Sequence, residues 1–575
     1  MLRSSADFSA HVVVGSGAPP SLPTRARALL VVCAWLLVVC ASSPVQAQPS
    51  QPPGGASSRA SQRHTHEGVT IEFTVEPVAG GKAAELVEGA EAVVKFSITD
   101  GAGRAVGNLR PAAWMHARRT DKAPDAAACR EKVRSFLQAG LTNRPDIDLN
   151  TFFVLALNHE PNISVIDPLS GFGTTKLYTL VALPAPGEDW VLSGDRKRLY
   201  VSVPAAGEVV AVDTATWKTL AHIDAGTRPT RLALQRDEKY LWVGNDGPAE
   251  TGGVTAIDTG TLKVAAHIKT GAGRHEIAFT DDDRRAFVTN KESGTLTVID
   301  VPSLARVTEH KVGAQPSALA FSSLGKAVYV VAEADGAVTV VAGSGEAVVA
   351  RLKSRPGLHA IRFTPDGRFG FVVNRAASEV YVFDVSNNRL VQSVAVEPSP
   401  DQITFTRDFA YVRATGSEFV SMIKLRDLGT ENAEAAAGRF PAGQRAPRES
   451  PSVSIAASVV PAPEGGSVLA ANPADKTIYY YSEGMAAPMG SFTNYRRDPR
   501  AVLVLDKSLR ETAPGVYTTT ARFNGHGQYD VAFLLDSPRV VGCFAAAVKE
   551  NPELPKQRGV PIKVEMLAGG GAARV

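Results

Sequence analysis

Between residues 150 and 483 the chain alternates short apolar runs with Gly-, Pro- and Asp-bearing breaks, the mark of β-strands joined by tight turns. One run ends repeatedly in aspartate: ISVID at Asp167, VVAVD at Asp213, VTAID at Asp258, LTVID at Asp300 and VYVFD at Asp384. Successive spacings are 46, 45, 42 and then 84 residues, and the last is twice 42 because VTVVA at Ala342 has lost its aspartate. A seventh copy, VSMIK, ends at Lys424. Each copy is preceded by another β-rich run (FFVLALN, LYVSV, LWVGND, AFVTN, VYVVAE, GFVVN, AYVRA) and followed by two further strands across a Gly/Pro turn.

Four short strands per unit, seven units and no helical interruption predict an all-β, seven-bladed β-propeller over residues 150–483. A single four-stranded sheet cannot bury both faces, whereas sheets stacked around an axis cover one another. The terminal aspartates read as turn-forming, their carboxylates accepting nearby backbone N–H groups. Blade one begins at Phe152 with its second strand. Its missing inner strand is expected at Ser467–Asn472 (SVLAAN), which would close the ring. The units LYVSV, AFVTN and VYVVA followed by V-x-V-I-D resemble YVTN-type propeller repeats. They resemble more distantly the haem d1 domain of cytochrome cd1 nitrite reductase. The resemblance implies a fold and no particular reaction.

The flanks alternate as well: VTIEFTVEP and AVVKFSITD before the repeats, AVLVLD, GVYTTTARF and QYDVAFLLD after them. Neither flank has strands enough for a stable sandwich, and together they do. The expected architecture is therefore a propeller inserted in a split immunoglobulin-like sandwich, with halves at 68–149 and 484–555 and a loose tail at 556–575. The stretch from MAAPMGSF to QYDVAF resembles the YtkA/FixH-type periplasmic sandwich family. Spacing in Ala126–Ala139 predicts a short helix bridging sandwich and propeller.

Arg25 and Arg27 precede a 14-residue apolar run, Ala28–Ala41, and Val45-Gln46-Ala47 then offers small residues. This is the order of a secretory leader over residues 1–47, too short for the ~20 residues of a bilayer span. Residues 48–67 read as a flexible Pro/Gly/Ser-rich tether. Of four cysteines, Cys33 and Cys40 leave with the leader. Cys129 and Cys543 then remain in an oxidising compartment and are expected to pair, the alternative being two separate buried thiols. Net charge of +3 and 7% aromatics give no footprint for nucleic acid.

Propellers bind at the axis, so the residues after each Gly/Pro turn are the candidate ligand set: Asp189, Trp190, Arg231, His275, Glu276, His359, Asp401 and Gln402, with Thr230 and Ser317 beside them. They could hydrate a channel mouth, bind a small polar ligand or a protein partner's loop, or ligate d1-type haem or a metal through His275 and His359. A second patch, Met115, His116, Met485 and Met489, has the thioether and imidazole donors that suit Cu(I), or simply packs a domain junction. No nucleophile elbow, zinc helix or phosphate-cradling loop occurs. The sequence therefore reads as a periplasmic binding or scaffold protein rather than an enzyme, with a redox accessory protein carrying d1-type haem or copper as the alternative.

Overall fold

The computed structural model describes residues 61–552 apart from 79–84, 121, 138–144, 169–175, 430–437, 445–454 and 464. The expected leader, most of the tether and the tail lie outside the described residues.

The repeats fold as four-stranded antiparallel sheets, each strand pairing with the next in sequence. Their inner strands are, for sheets two to eight, Trp190–Leu192, Pro229–Leu234, Ile277–Phe279, Pro316–Ser322, Leu358–Phe363, Pro400–Phe405 and Val459–Pro461. Sheet one takes its inner strand from far along the chain: Pro499–Asp506 pairs with Phe152–Asn158. The propeller thus has eight sheets among the described residues, not the seven that the repeats suggest, and extends to Asp506 rather than 483.

Two features hid the eighth. Its third strand, Thr477–Ser482, ends without the aspartate, and it ends 58 residues after the seventh copy's Lys424, off the 42-residue spacing. Ser467–Asn472 is consequently the second strand of this complete sheet and not the closing strand of the first. The true closing strand, AVLVLD, is a continuous apolar run, which suits a strand covered on both faces in either domain, so its pattern does not choose between the two homes.

The second strands are buried along their whole length in sheets five and six, while fourth strands such as Arg389–Ala395 are mostly exposed. This gradient follows from stacking, since each sheet's faces meet its neighbours near the axis and diverge outward. The ring closes through apolar contact. Leu469, Ala471 and Ile478 of sheet eight pack with Val154, Ala156 and Val502 of sheet one, and Leu155 and Leu157 continue to Trp190 and Val201 of sheet two.

The aspartates that end third strands make the expected turns. The Asp213 carboxylate accepts from Ala215 N (2.8 Å) and Thr216 N (2.7 Å), and that of Asp258 from Thr261 N (2.7 Å) and Oγ1 (2.9 Å). Hydrogen bonding from Thr261 holds the Asp258 carboxyl below its ordinary range. The asparagines that end the second strands have a different task. Asn245 Nδ2 donates to Thr255 Oγ1 at 2.8 Å, and that hydroxyl donates to Ala225 O of the preceding sheet at 2.7 Å. Each such relay ties one sheet to the next at the channel end.

The flanks meet in two facing sheets. In the first, Glu91–Asp100 pairs with Val516–Arg522. In the second, Ala112–Ala117 pairs with Gly527–Asp536. Both pairings join chain from before the ring to chain from after it. Phe73, Phe96, Phe533 and Phe544 fill the shared core.

Three expectations change here. Gln62–His66, assigned to the tether, is an edge strand on Val69–Pro77, and Gln62 Nε2 also donates to Ala545 O at 2.6 Å. The helix, Ala126–Leu137, covers one sandwich sheet through Val133 and Phe136 rather than bridging to the propeller. It is held there by a Cys129–Cys543 disulfide (Cα–Cα 5.9 Å) and by Asp530, which meets Arg118 at 2.7 Å and Lys132 at 2.6 Å. Thirdly, Met485–Thr493 belongs to the eighth propeller sheet, so the second sandwich half begins at Arg510–Ala513.

Candidate functional site

Backbone register aligns the eight inner strands without reference to side chains. Val502, Trp190, Leu232, Ile277, Leu319, Ile361, Ile403 and Val459 each pair with the residue two before the end of the second strand. Strand alternation puts the residues on either side of these anchors on the opposite face. The preceding rung reads, from sheet one, Ala501, Asp189, Arg231, Glu276, Ala318, Ala360, Gln402 and Ser458. The following rung reads Leu503, Val191, Ala233, Ala278, Ala320, Arg362, Thr404 and Val460. Trp190 is therefore an anchor equivalent to Leu232. It is buried between sheets one and two and is not a channel residue, in contrast to the sequence-based assignment.

A cavity of about 100 Å³ opens at the channel mouth, lined by Arg231, Arg274, Glu276, Lys291, Ser317, Ala318, His359, Ala360, Arg362, Asp401, Gln402 and neighbouring apolar atoms. Five of the eight expected ligand residues reach it: Arg231, Glu276, His359, Asp401 and Gln402. Asp189, Trp190 and His275 do not.

Most of the polar side chains are already engaged. Asp189 is buried beside the ring, where its carboxylate accepts from Leu232 N (2.9 Å) and Trp190 N (2.9 Å) and lies 3.5 Å from Arg231. Burial pushes its carboxyl upward against the pull of Arg231. Arg231 bridges on to Glu276, Nε to Oε2, at 3.0 Å. Burial would lower the Arg231 guanidinium, but Glu276 and Asp189 more than offset this and hold it above its ordinary value. Arg274 reaches the other Glu276 oxygen at 3.8 Å, and Lys291 meets Glu333 at 2.8 Å.

Asp401 is fully buried in a two-pronged ion pair with Arg413: Nε donates to Oδ1 at 2.9 Å, and Nη2 to Oδ2. Gln402 staples sheet seven to sheet eight, donating to Ala456 O (2.9 Å) and accepting from Ser458 N (2.8 Å). Both are thus structural ties that show one face to the cavity.

The two histidines differ. His275 is fully buried, its Nδ1–H donates to Thr289 O at 2.9 Å, and its Nε2 has no hydrogen-bond partner. Burial lowers its pKa. His359 is half-buried on the cavity wall and is also lowered by burial, against the opposing field of Asp401 and Glu333. Only one imidazole therefore faces the cavity. A seat of about 100 Å³ is also well under the ~300 Å³ at which pockets for drug-sized ligands and cofactors begin, and it has room only for a much smaller molecule. The residues do not fit a tetrapyrrole held by His275 and His359.

The expected copper set is not assembled. Met115 is buried in the sandwich core, and His116 Nδ1 lies 3.1 Å from Asp146. Met485 and Met489 are exposed on the turn between the third and fourth strands of the eighth propeller sheet. A core methionine cannot share a metal with exposed ones unless the core opens. Among the described residues no three His, Cys, Asp or Glu side chains gather as a metal-binding group.

Arg274, Lys291, Arg362 and Arg413 were missed by sequence reasoning. Arg362 carried a usable signal: it follows His359 by three residues, where the parallel inner strands place Ala233, Ala278, Ala320 and Thr404.

A model of the YNCE-like beta-propeller family matches residues 25–355, more than half of the chain. The chain belongs to this family. The match runs through the first flank and reaches the fifth propeller sheet of this YNCE-like protein. Among solved structures, dihydro-heme d1 dehydrogenase NirN in complex with DHE superposes with a TM-score of 0.50 at 16% identity, covering 63% of this chain and 76% of its own. Apo AztD from Citrobacter koseri gives 0.46 at 11% identity, with 62% and 98% covered. Kuenenia stuttgartiensis hydrazine synthase gives 0.41 at 17% identity, with 55% and 99% covered. At these identities the likeness is one of fold. No curated protein matches the chain in sequence.

Proposed function

We propose that this YNCE-like propeller is an exported, periplasmic binding protein whose ligand seats in the channel-mouth cavity. In this reading the propeller is inserted in an immunoglobulin-like sandwich, and the leader at residues 1–47 is removed on export. The observation that carries the reading is the convergence of Arg231, Glu276, His359 and Arg362, from three different sheets, on one open cavity. Such a concave seat with a few convergent polar groups is what a small polar ligand needs.

The test is a thermal-shift screen of the leader-free protein against anionic, cationic and neutral small molecules, run beside Ala360→Trp, which fills the cavity. A true ligand stabilises the wild type by about 2.7 kcal/mol at a hundred times its Kd and leaves the filled variant unmoved. A screen in which every hit stabilises both proteins alike refutes the seat.

A further inference from the structure

The charge around the cavity leaves one cation unanswered. Arg231 has Glu276 and Asp189, Lys291 has Glu333, and Arg413 has Asp401. Arg362 forms no ion pair among the described residues, and its one hydrogen bond is Nη1 to the adjacent Ile361 carbonyl at 3.2 Å. It stands on the rung where the other seven sheets carry only Leu, Val, Ala or Thr, so no carboxylate lies at its level. Arg362 is exposed and lines the cavity, with protein around it on the channel wall. That enclosure and the nearby Arg231 lower its guanidinium, against the opposing field of Glu276 and Asp189, which are already paired with Arg231. A guanidinium held in a confined, largely apolar ring presents a rigid fork of donors without an acceptor, and carboxylates and phosphates match that fork.

We propose that the cavity recognises a small oxyanion-bearing molecule, a carboxylate or a phosphate, with Arg362 as its anchor and His359 on the adjacent wall. The proposal rests on the channel-mouth seat and names its ligand class. The neighbouring pairs explain why selectivity falls to Arg362. Asp401 and Glu276 are held by their own arginines, and an incoming anion must pass them to reach a free cation. A ligand with one compact anionic group suits this layout better than a polyanion.

The experiment is calorimetric titration of the leader-free chain with inorganic phosphate and, separately, acetate, each against matched chloride. Saturable binding of either is expected, and whichever binds fixes the oxyanion. Arg362→Gln weakens it about tenfold or more, as the loss of charged hydrogen bonds does, while Arg362→Lys retains part of it. Ala320→Glu leaves Arg362 intact but sets a carboxylate at the same level of the next sheet, and it is expected to block binding as well. Equal affinity in wild type and Arg362→Gln, or no binding of either probe, overturns the proposal. Glucose separates the two readings. If it stabilises the wild type and not Ala360→Trp while the anions fail, the seat stands and the anion class falls. If glucose and both anions all fail, both readings fall.

Discussion

The Asp401–Arg413 pair makes the sharpest quantitative prediction, because the sequence places Asp401 among ligand residues and the structure makes it a buried tie. Arg413→Met removes the cation and leaves a carboxylate with no exposed surface and no counter-charge. Breaking a buried pair in this way costs about 3–5 kcal/mol, whereas replacing both partners by apolar groups of similar volume is near neutral. Asp401→Leu costs a similar amount by stranding Arg413, and the Asp401→Leu/Arg413→Met double variant recovers most of the loss. The ring from Phe152 to Asp506 is about 350 residues, and at ~2.1 cal/mol/K of unfolding entropy per residue, 3–5 kcal/mol lowers its melting temperature by about 4–7 °C. Circular-dichroism melts of the four proteins, with urea titrations in parallel, give the double-mutant cycle. Single variants that melt within a degree of wild type, or a double variant no better than the worse single, would refute the claim that this pair is a structural tie. If Asp401 instead served the ligand, Asp401→Leu would abolish binding at unchanged stability.

Three further outcomes are expected. The neutral, buried His275 makes the fold acid-sensitive: above the unfolded pKa of ~6.5 both states hold a neutral ring, but below it the unfolded chain takes the proton first. Stability therefore falls as pH drops from 6.5 towards the lowered folded value, and melts at successive pH values should show a smaller acid loss in His275→Asn. Denatured but unreduced leader-free protein should show no free thiol, and Cys129→Ser/Cys543→Ser should be less stable by about 6 kcal/mol in the chain-entropy account, given a separation of 414 residues; two titratable thiols would sink this. A fragment spanning residues 151–507 contains all the strands of the ring and should express as a soluble monomer, whereas 150–483 lacks the inner strand of sheet one and the fourth strand of sheet eight and should aggregate through its open edges; equal solubility would contradict the closure.

What could be read in the sequence was whatever repeats or alternates locally. The aspartate at the end of the third strand, the asparagine ending YVTN-like runs and the period-two apolar pattern fix strands, turns and a sheet-stacking fold, because backbone hydrogen bonding and burial act over a few residues. Seven units were legible for the same reason, and the eighth, off the 42-residue spacing and without the aspartate, was not. The position of each inner-strand residue was half legible: counting from the turn placed Arg231, Glu276 and His359 at the channel, yet misassigned Trp190, whose pairing with Val201 makes it an anchor. Only the tertiary structure decided which strand closes the ring, since Pro499–Asp506 satisfies either home by pattern and is assigned by the partner it meets. It also decided which charges are spent. A sequence shows that Asp401, Glu276 and Arg362 exist, but whether each has a counter-ion depends on neighbours in other sheets. Among the described residues that line the cavity, that distinction leaves Arg362 without an ion pair.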